Sequence, residues 1–296
     1  RSQKQAAKAL IQRGLIQVIE QETSKTQVST QPNLPHHSLN SDQSVAIKAI
    51  LKALQTFKVF LLQGVTGSGK TEIYMHAARE VLSRGRQVLI LIPEINLTPQ
   101  TLSRFEQFLG QPIAAFHSAL TQTARYKSRL GFRTGETSIL IGTRSAALLP
   151  ARNLGMIILD EEHDASFKQQ EGFRFSARDI SVMRGRMENI PVVMGSATPS
   201  LESLHNAALN RYELVHLPKR AGQAEPPMFQ VVDIRSQYLE QGLSSQLKHS
   251  IAETLSRKEQ SLLFVNRRGF APTLICNGCG WVAGCRHCDA RMVIHQ

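Results

Sequence analysis

The sequence predicts an α/β fold: a parallel sheet with helices on both faces. Three observations point there. From residue 40 onward, short apolar runs alternate with stretches of helix length, the pattern of strand–helix–strand units. Runs such as Leu89-Ile90-Leu91-Ile92 are apolar throughout, as strands buried on both sides are. A glycine-rich turn, Gly64 to Thr71, joins one such run to a helical pattern, as phosphate-binding turns of parallel sheets do.

The elements follow in order. Residues 2–13 read as a helix stopped by Gly14, then a short strand over 15–20. The stretch 21–38 is rich in Thr, Ser, Gln, Pro and His and reads as a linker. Asn40 caps the next helix, with Gln43 as its reciprocal partner. Strands are expected at Val59–Gln63, Val88–Ile92, Ile113–Phe116, Ile139–Gly142, Met156–Leu159 and Val192–Gly195. Helices are expected near 71–84, 98–109, 121–131, 176–188 and 200–209. A further strand is expected near 228–234, a helix near 244–257 and a buried strand at Leu262–Val265, followed by an Asn266–Gly269 turn.

The chain has 296 residues, 42% of them hydrophobic, enough for one large domain and part of another. Lys and Arg number 35 against 23 Asp and Glu, a net charge of +12. That excess favours a polyanion, and nucleic acid is the commonest one a cytosolic protein meets. No run of apolar residues is long enough to span a bilayer, and no secretory leader pattern is visible. All four Cys fall between 276 and 288, which reads as metal binding in a reducing compartment rather than a disulfide framework. A start at Arg1 and an end soon after that cluster give the expectation that the chain is a segment of a longer protein.

Gly64-Val65-Thr66-Gly67-Ser68-Gly69-Lys70-Thr71 matches the G-x-x-x-x-G-K-[ST] pattern in full. Its glycines let the backbone curl so that N–H groups face phosphate oxygens. The helix that follows adds its positive end. Lys70 is expected to reach the β and γ phosphates of ATP, and Thr71 to hold Mg²⁺ through its hydroxyl.

The run Met156–Leu159 enters Asp160-Glu161-Glu162-His163. Alone, these acids would pass for an exposed turn. Downstream of a complete phosphate loop, they read as carboxylates at the sheet's carboxyl edge. Asp160 is then a Mg²⁺ holder, and Glu161 orients or deprotonates the attacking water.

Other short motifs fall into order around these two. Asp-Glu-x-His resembles the second motif of superfamily-two helicases, and Gly195-Ser196-Ala197-Thr198 resembles their third. Pro93-Glu94 with Leu97-Thr98 is similar to motif Ia, and Gly142-Thr143-Arg144-Ser145 to motif Ib. Gln43 is similar to the glutamine that reads adenine. The wording GVTGSGKTEIY, DEEHD and GSATPSLES resembles one family, the primosomal N′ helicases of replication restart. So does Ser166–Phe175, whose Phe and Arg residues interleave as in that family's DNA-sensing loop. A third likeness is Arg267-Arg268-Gly269-Phe270 before the Cys cluster and Trp281.

The resemblance covers essentially the whole chain. It implies a RecA-like P-loop helicase lobe over 39–235, preceded by the tail of a small winged-helix-like domain (1–22) and a linker (23–38). The start of a second lobe (236–275) and a truncated zinc-binding segment (276–296) follow. It also implies an ATP-dependent, 3′ to 5′ DNA helicase acting at forks and on single-stranded DNA. The implied partners are other primosome proteins and single-stranded-DNA-binding protein, in the bacterial cytoplasm with the nucleoid and without a membrane. Thr143, Arg144, Phe167, Lys168, Phe173, Arg174, Ser196 and Thr198 carry the implied DNA contact and coupling. Two competing readings, a double-strand translocase and a zinc-ribbon protein with a decayed ATP site, fit less of the sequence.

Cys276-x-x-Cys279 and Cys285-x-x-Cys288 are expected zinc ligands. One ion held by all four would need a tight turn, since five residues separate the pairs against roughly 12 or more usually. In the family such pairs interleave with further cysteines around two zinc ions, so each pair here is expected to be half a site. His287 and His295 are alternative ligands. The residues present are expected to hold zinc poorly and to hydrolyse ATP slowly without second-lobe arginines.

Overall fold

Residues 39–221, 228–264, 276 and 278–285 are described by a computed structural model. The chain divides into two compact units, Arg1–Ala224 and Glu225–Gln296. The helix expected at 2–13, the strand at 15–20, the linker at 21–38 and the Asn266–Gly269 turn lie outside the described residues.

In the first unit α1 (Ser41–Lys52) opens on the expected capping box. The Asn40 side chain accepts the Gln43 N–H at 2.8 Å, and Gln43 Oε1 accepts the Asn40 N–H at 2.9 Å. Strand β1 (Val59–Gly64) then leads into α2 (Lys70–Ser83) and β2 (Gln87–Leu91). Thr98 caps α3 (Pro99–Leu109), whose proline sits in the first turn, where its missing N–H costs nothing. Strand β3 (Ala114–Phe116), helix α4 (Gln122–Thr134), strand β4 (Ile139–Gly142) and strand β5 (Leu154–Asp160) follow. A two-stranded hairpin, β6 (Lys168–Gln169) and β7 (Phe175–Ser176), precedes α5 (Ala177–Glu188). The unit finishes with β8 (Val192–Ser196), α6 (Leu201–Ala208) and β9 (Glu213–Leu217).

Seven strands pair in parallel in the order β3-β4-β2-β5-β8-β1-β9. Because side chains alternate along a strand, each strand feeds two cores. Phe60, Leu62, Val88, Ile90, Ile141 and Ile158 face one layer with α1, α2 and α3. Val59, Leu61, Leu89, Leu91, Leu140 and Ile157 face the other, with Phe132 of α4 and Ala177 of α5. A fully buried Leu or Ile contributes about 1.5–3 kcal/mol, so these central strands carry much of the stability.

The topology positions the site. From β1 the chain crosses to β2, and β8 later inserts between β1 and β5. The register sets Gln63 beside Ser196 and Asp160 beside Gly195. The phosphate turn, the acidic strand end and the third motif therefore emerge side by side at the carboxyl edge.

Three sequence expectations need correction. Strand β9 was not expected: Glu213 and His216 interrupt its apolar residues, as suits an edge strand paired only with β1. Residues 228–234 form no strand. Phe229 and Val231 lie exposed, and without a neighbouring ladder an extended segment leaves its backbone groups to water. The same holds for 262–264, where Leu262 and Phe264 are exposed; Val265 lies outside the described residues. In the second unit Ser244 caps α7 (Ser245–Ser256), close to its expected bounds.

Candidate active site

The turn after β1 curls as its glycines allow. Gly67 and Gly69 have φ of +79° and +81°, a region that strains any residue with a Cβ. A Cβ at Gly69 would also collide with the Gln43 amide, and one at Gly64 with Ser68 Oγ. Two backbone bonds tie the turn to the end of β9 and the chain just after it: Val65 N–H to Leu217 O at 3.4 Å, and Ala221 N–H to Gly67 O at 2.7 Å. Lys70, the first residue of α2, donates from Nζ to Gly64 O at 3.0 Å. Ser68 Oγ is buried without a hydrogen-bond partner. A buried hydroxyl is rarely left so.

Gln43 is 3% exposed. Its Oε1 takes part in the capping box, and its Nε2 donates to Ser68 O at 2.9 Å. The residue expected to read adenine thus also braces the phosphate turn.

Asp160 ends β5, and Glu161 turns away from the strand with φ of +48°. Such backbone strain in a non-glycine residue gathers at functional sites. Burial, and next the Glu161 carboxylate, hold the Asp160 carboxyl above its ordinary range; the Tyr74 hydroxyl and the Lys70 ammonium pull it back. Tyr74 Oη donates to Asp160 Oδ1 at 3.0 Å. Burial, then Asp160, push the Tyr74 hydroxyl well above its usual value. Tyr74 fits only because Gly195 of the third motif has no Cβ to meet its ring.

Gln43, Thr66, Gly67, Ser68, Gly69, Lys70, Thr71, Asp160 and Glu161 line one cavity of about 660 Å³, within the range of small-molecule sites. Gly64 and Val65 shape the turn from behind. The remaining walls include Glu72, Arg104, Lys219 and Arg220. A triphosphate with a divalent ion fits this donor set: backbone N–H groups, an ammonium and hydroxyls for the phosphates, Thr71 and a carboxylate for the ion.

Behind the cavity the third motif is wired to the acidic turn. Ser196 Oγ and His163 Nδ1 lie 2.7 Å apart, and the Thr198 N–H donates to Ser196 Oγ at 2.9 Å. Glu162 is 2% exposed. Its carboxylate accepts from Ser200 N–H at 2.8 Å, Ser203 Oγ at 2.9 Å and Arg178 Nη1 at 3.2 Å. One carboxylate thereby ties the acidic turn to the start of α6 and to α5.

Residues 40–207 match the family model described as DEAD/DEAH box helicase. The chain belongs to that helicase family. Membership implies use of a nucleotide and Mg²⁺, and the cavity fits both. The chain is 47% identical over 259 residues to the replication restart protein PriA of Haemophilus influenzae, covering 88% of this chain and 35% of that one. It is 40% identical over 301 aligned positions to PriA of Bacillus subtilis, covering 98% and 37%. The chain thus spans little more than a third of the curated relatives it matches. Among solved structures, one titled "Crystal Structure of DUF1998 helicase MrfA bound to DNA and AMPPNP" aligns over 77% of this chain and 34% of that one, with TM-score 0.53 and 15% identity, a likeness of fold alone. The expected resemblance to restart helicases holds.

On the helicase lobe's other loops, Thr143 precedes a 3₁₀ turn after β4 and is buried. Arg144 donates to Ser166 O at 2.9 Å and to Lys168 O at 3.2 Å. Motif Ib and the aromatic loop are therefore joined through this guanidinium. Phe167 is 3% exposed and packs in the core, so it anchors the loop rather than offering a ring to a base. Phe173 is 77% exposed near the hairpin turn, its ring 6.0 Å from that of Phe175. Lys168 and Arg174 line a hollow beside it with Gln170 and Asp179.

Sequence reasoning missed Tyr74, Glu162, Arg178, Lys219 and Arg220. The last two carried a signal, a basic pair closing the β9 run. Tyr74 and Glu162 carried none, because their partners lie far along the chain.

Among the described residues no cluster of metal-ligating side chains is assembled. Cys276 and Cys279 are exposed, and Cys288, His287 and His295 lie outside the described residues. The Cys279 and Gly278 backbone N–H groups turn toward the Cys276 sulfur and lower its thiol from the ordinary value. No described helix is long and apolar enough to cross a membrane.

Proposed function

We propose that this chain is the ATP-driven lobe of a replication-restart DNA helicase, one that moves 3′ to 5′ at stalled or repaired forks and assembles the primosome. The observation that carries the reading is the single cavity in which Gln43, Lys70, Thr71, Asp160 and Glu161 meet. The relatives' name, replication restart protein, supports the physiological role.

Lys70 leaves the Gly64 carbonyl to meet the β and γ phosphates, and the turn's N–H groups and Ser68 take the remaining oxygens. Thr71 and Asp160 hold Mg²⁺, which supplies charge neutralisation on the phosphates. Glu161 accepts the proton of the attacking water. The Ser196–His163 contact passes the state of that site to the third motif, and Arg144 links motif Ib to the Phe173–Phe175 hairpin. Exposed Phe173 stacks on a base while Lys168 and Arg174 hold phosphates. Thr143 and Thr198 steady the backbone turns at these contacts.

The further partners in this reading are single-stranded-DNA-binding protein and other primosome proteins, in the bacterial cytoplasm with the nucleoid. In the same reading Cys276 with Cys279, and Cys285 with Cys288, would each supply half of a zinc site. The two N–H groups aimed at Cys276 Sγ support a thiolate there.

Lys70→Ala tests the proposal. Labelled ATP with magnesium should bind the unaltered protein, and in the full-length protein, where second-lobe arginines complete the site, the variant should lose hydrolysis by about 10²–10³-fold while retaining fork binding. Equal turnover in the two proteins, or no ATP uptake by the unaltered one, would sink the motor reading.

A further inference from the structure

Helix α4 carries Arg125, Lys127, Arg129 and Arg133 and no acidic residue. Arg125, Arg129 and Arg133 repeat every four positions, so they form one stripe along the helix, climbing about 6 Å per step. Like charges so placed repel one another. Among the described residues none of the four cations forms an ion pair. Arg129, Arg133 and Lys127 are exposed, and Tyr126 between them is 65% exposed. Along Arg129 and Arg133 the stripe meets solvent without an ion-pair partner among the described residues.

Its first member is fixed in place. The Arg125 guanidinium sits 5.1 Å from the centre of the Phe116 ring. It lines a hollow with Glu94, Ser118, Thr143, Arg144 and Ser145, Glu94 lying beyond ion-pair distance of it. The hollow opens at the carboxyl ends of β3 and β4, where the proposed DNA track passes. The cationic stripe continues that track outward along α4.

We propose that the solvent face of α4 binds the phosphate backbone of duplex DNA beside the tracked strand. This rests on the helicase reading above and extends it. Single strands are held in grooves with several stacking aromatics, whereas this face is the surface of one helix whose exposed aromatic is Tyr126 alone. A rigid duplex presents phosphates as a regular array that guanidiniums at fixed steps can meet without any pocket. The contacts carry no sequence preference, because none of these side chains needs a base edge.

The test is the salt dependence of binding. Affinity for a blunt duplex and for an unstructured single strand is measured across a salt series for the protein, for Arg129→Ala with Arg133→Ala, and for Arg129→Lys with Arg133→Lys. The alanine pair should make the duplex slope of log K against log salt shallower by about 1.8, about 0.9 for each lost phosphate contact. Its single-strand slope should not move, and the lysine pair should keep both slopes. An unchanged duplex slope, or an equal loss on both DNAs, overturns the assignment. Labelled-ATP uptake is followed in the same samples: its failure in the unaltered protein defeats the motor reading, whereas normal uptake with an unmoved slope defeats only the α4 contact.

Discussion

Tyr74 on α2 donates its hydroxyl to Asp160 at the end of β5, 3.0 Å away. The bond favours the ionised carboxylate, the form that a divalent ion requires. It joins the helix of the phosphate turn to the acidic strand end. It depends on a third element, because Gly195 leaves the room that the tyrosine ring occupies.

Tyr74→Phe should therefore slow ATP hydrolysis. A hydrogen bond to a charged group contributes about 1.5–3 kcal/mol, or roughly 10–100-fold in rate. The sign on pH follows: loss of a donor to the carboxylate raises the Asp160 pKa further, so the acid limb of the rate profile should move to higher pH. A pH profile of steady-state hydrolysis checks this, and an unmoved acid limb would refute it.

Asp160 makes a prediction about stability. Its carboxyl is raised by burial and by Glu161, so the folded state holds this proton more tightly than the unfolded chain. Its contribution to stability is present below the ordinary carboxylate value and is lost as pH rises through the raised folded value. At neutral pH, without a divalent ion, the ionised group is a cost. Asp160→Asn should then raise the metal-free melting temperature by a few degrees, about 2–4 °C for each kcal/mol in a domain of this size. It should also abolish hydrolysis. Calorimetry at pH 7 in chelator would show a lower melting temperature if the argument fails.

Glu162 predicts the opposite direction. Its buried carboxylate holds Ser200, Ser203 and Arg178 at once. Removing one member of such a buried pair costs about 3–5 kcal/mol. Glu162→Ala should thus be among the most destabilising single changes in the first unit, and Glu162→Gln milder. Urea unfolding of the two variants measures the difference; equal midpoints with the unaltered protein would contradict it.

The sequence by itself determined the α/β class, six of the sheet's strands and the helix positions. Continuous apolar runs, the Asn40 cap and the glycine turn are local signals that need no knowledge of neighbours. It also named most of the cavity, because Lys70, Thr71, Asp160 and Glu161 sit in short contiguous motifs. Tertiary structure alone decided what those motifs meet. Tyr74 reaches Asp160 and Gly195, Gln43 reaches Ser68, and Glu162 gathers α5 and α6, because strand order sets distant segments side by side. It also decided that 213–217 is an edge strand while 228–234 is not a strand. A strand exists only where another offers its hydrogen-bond ladder, and no run of residues states where its partner lies.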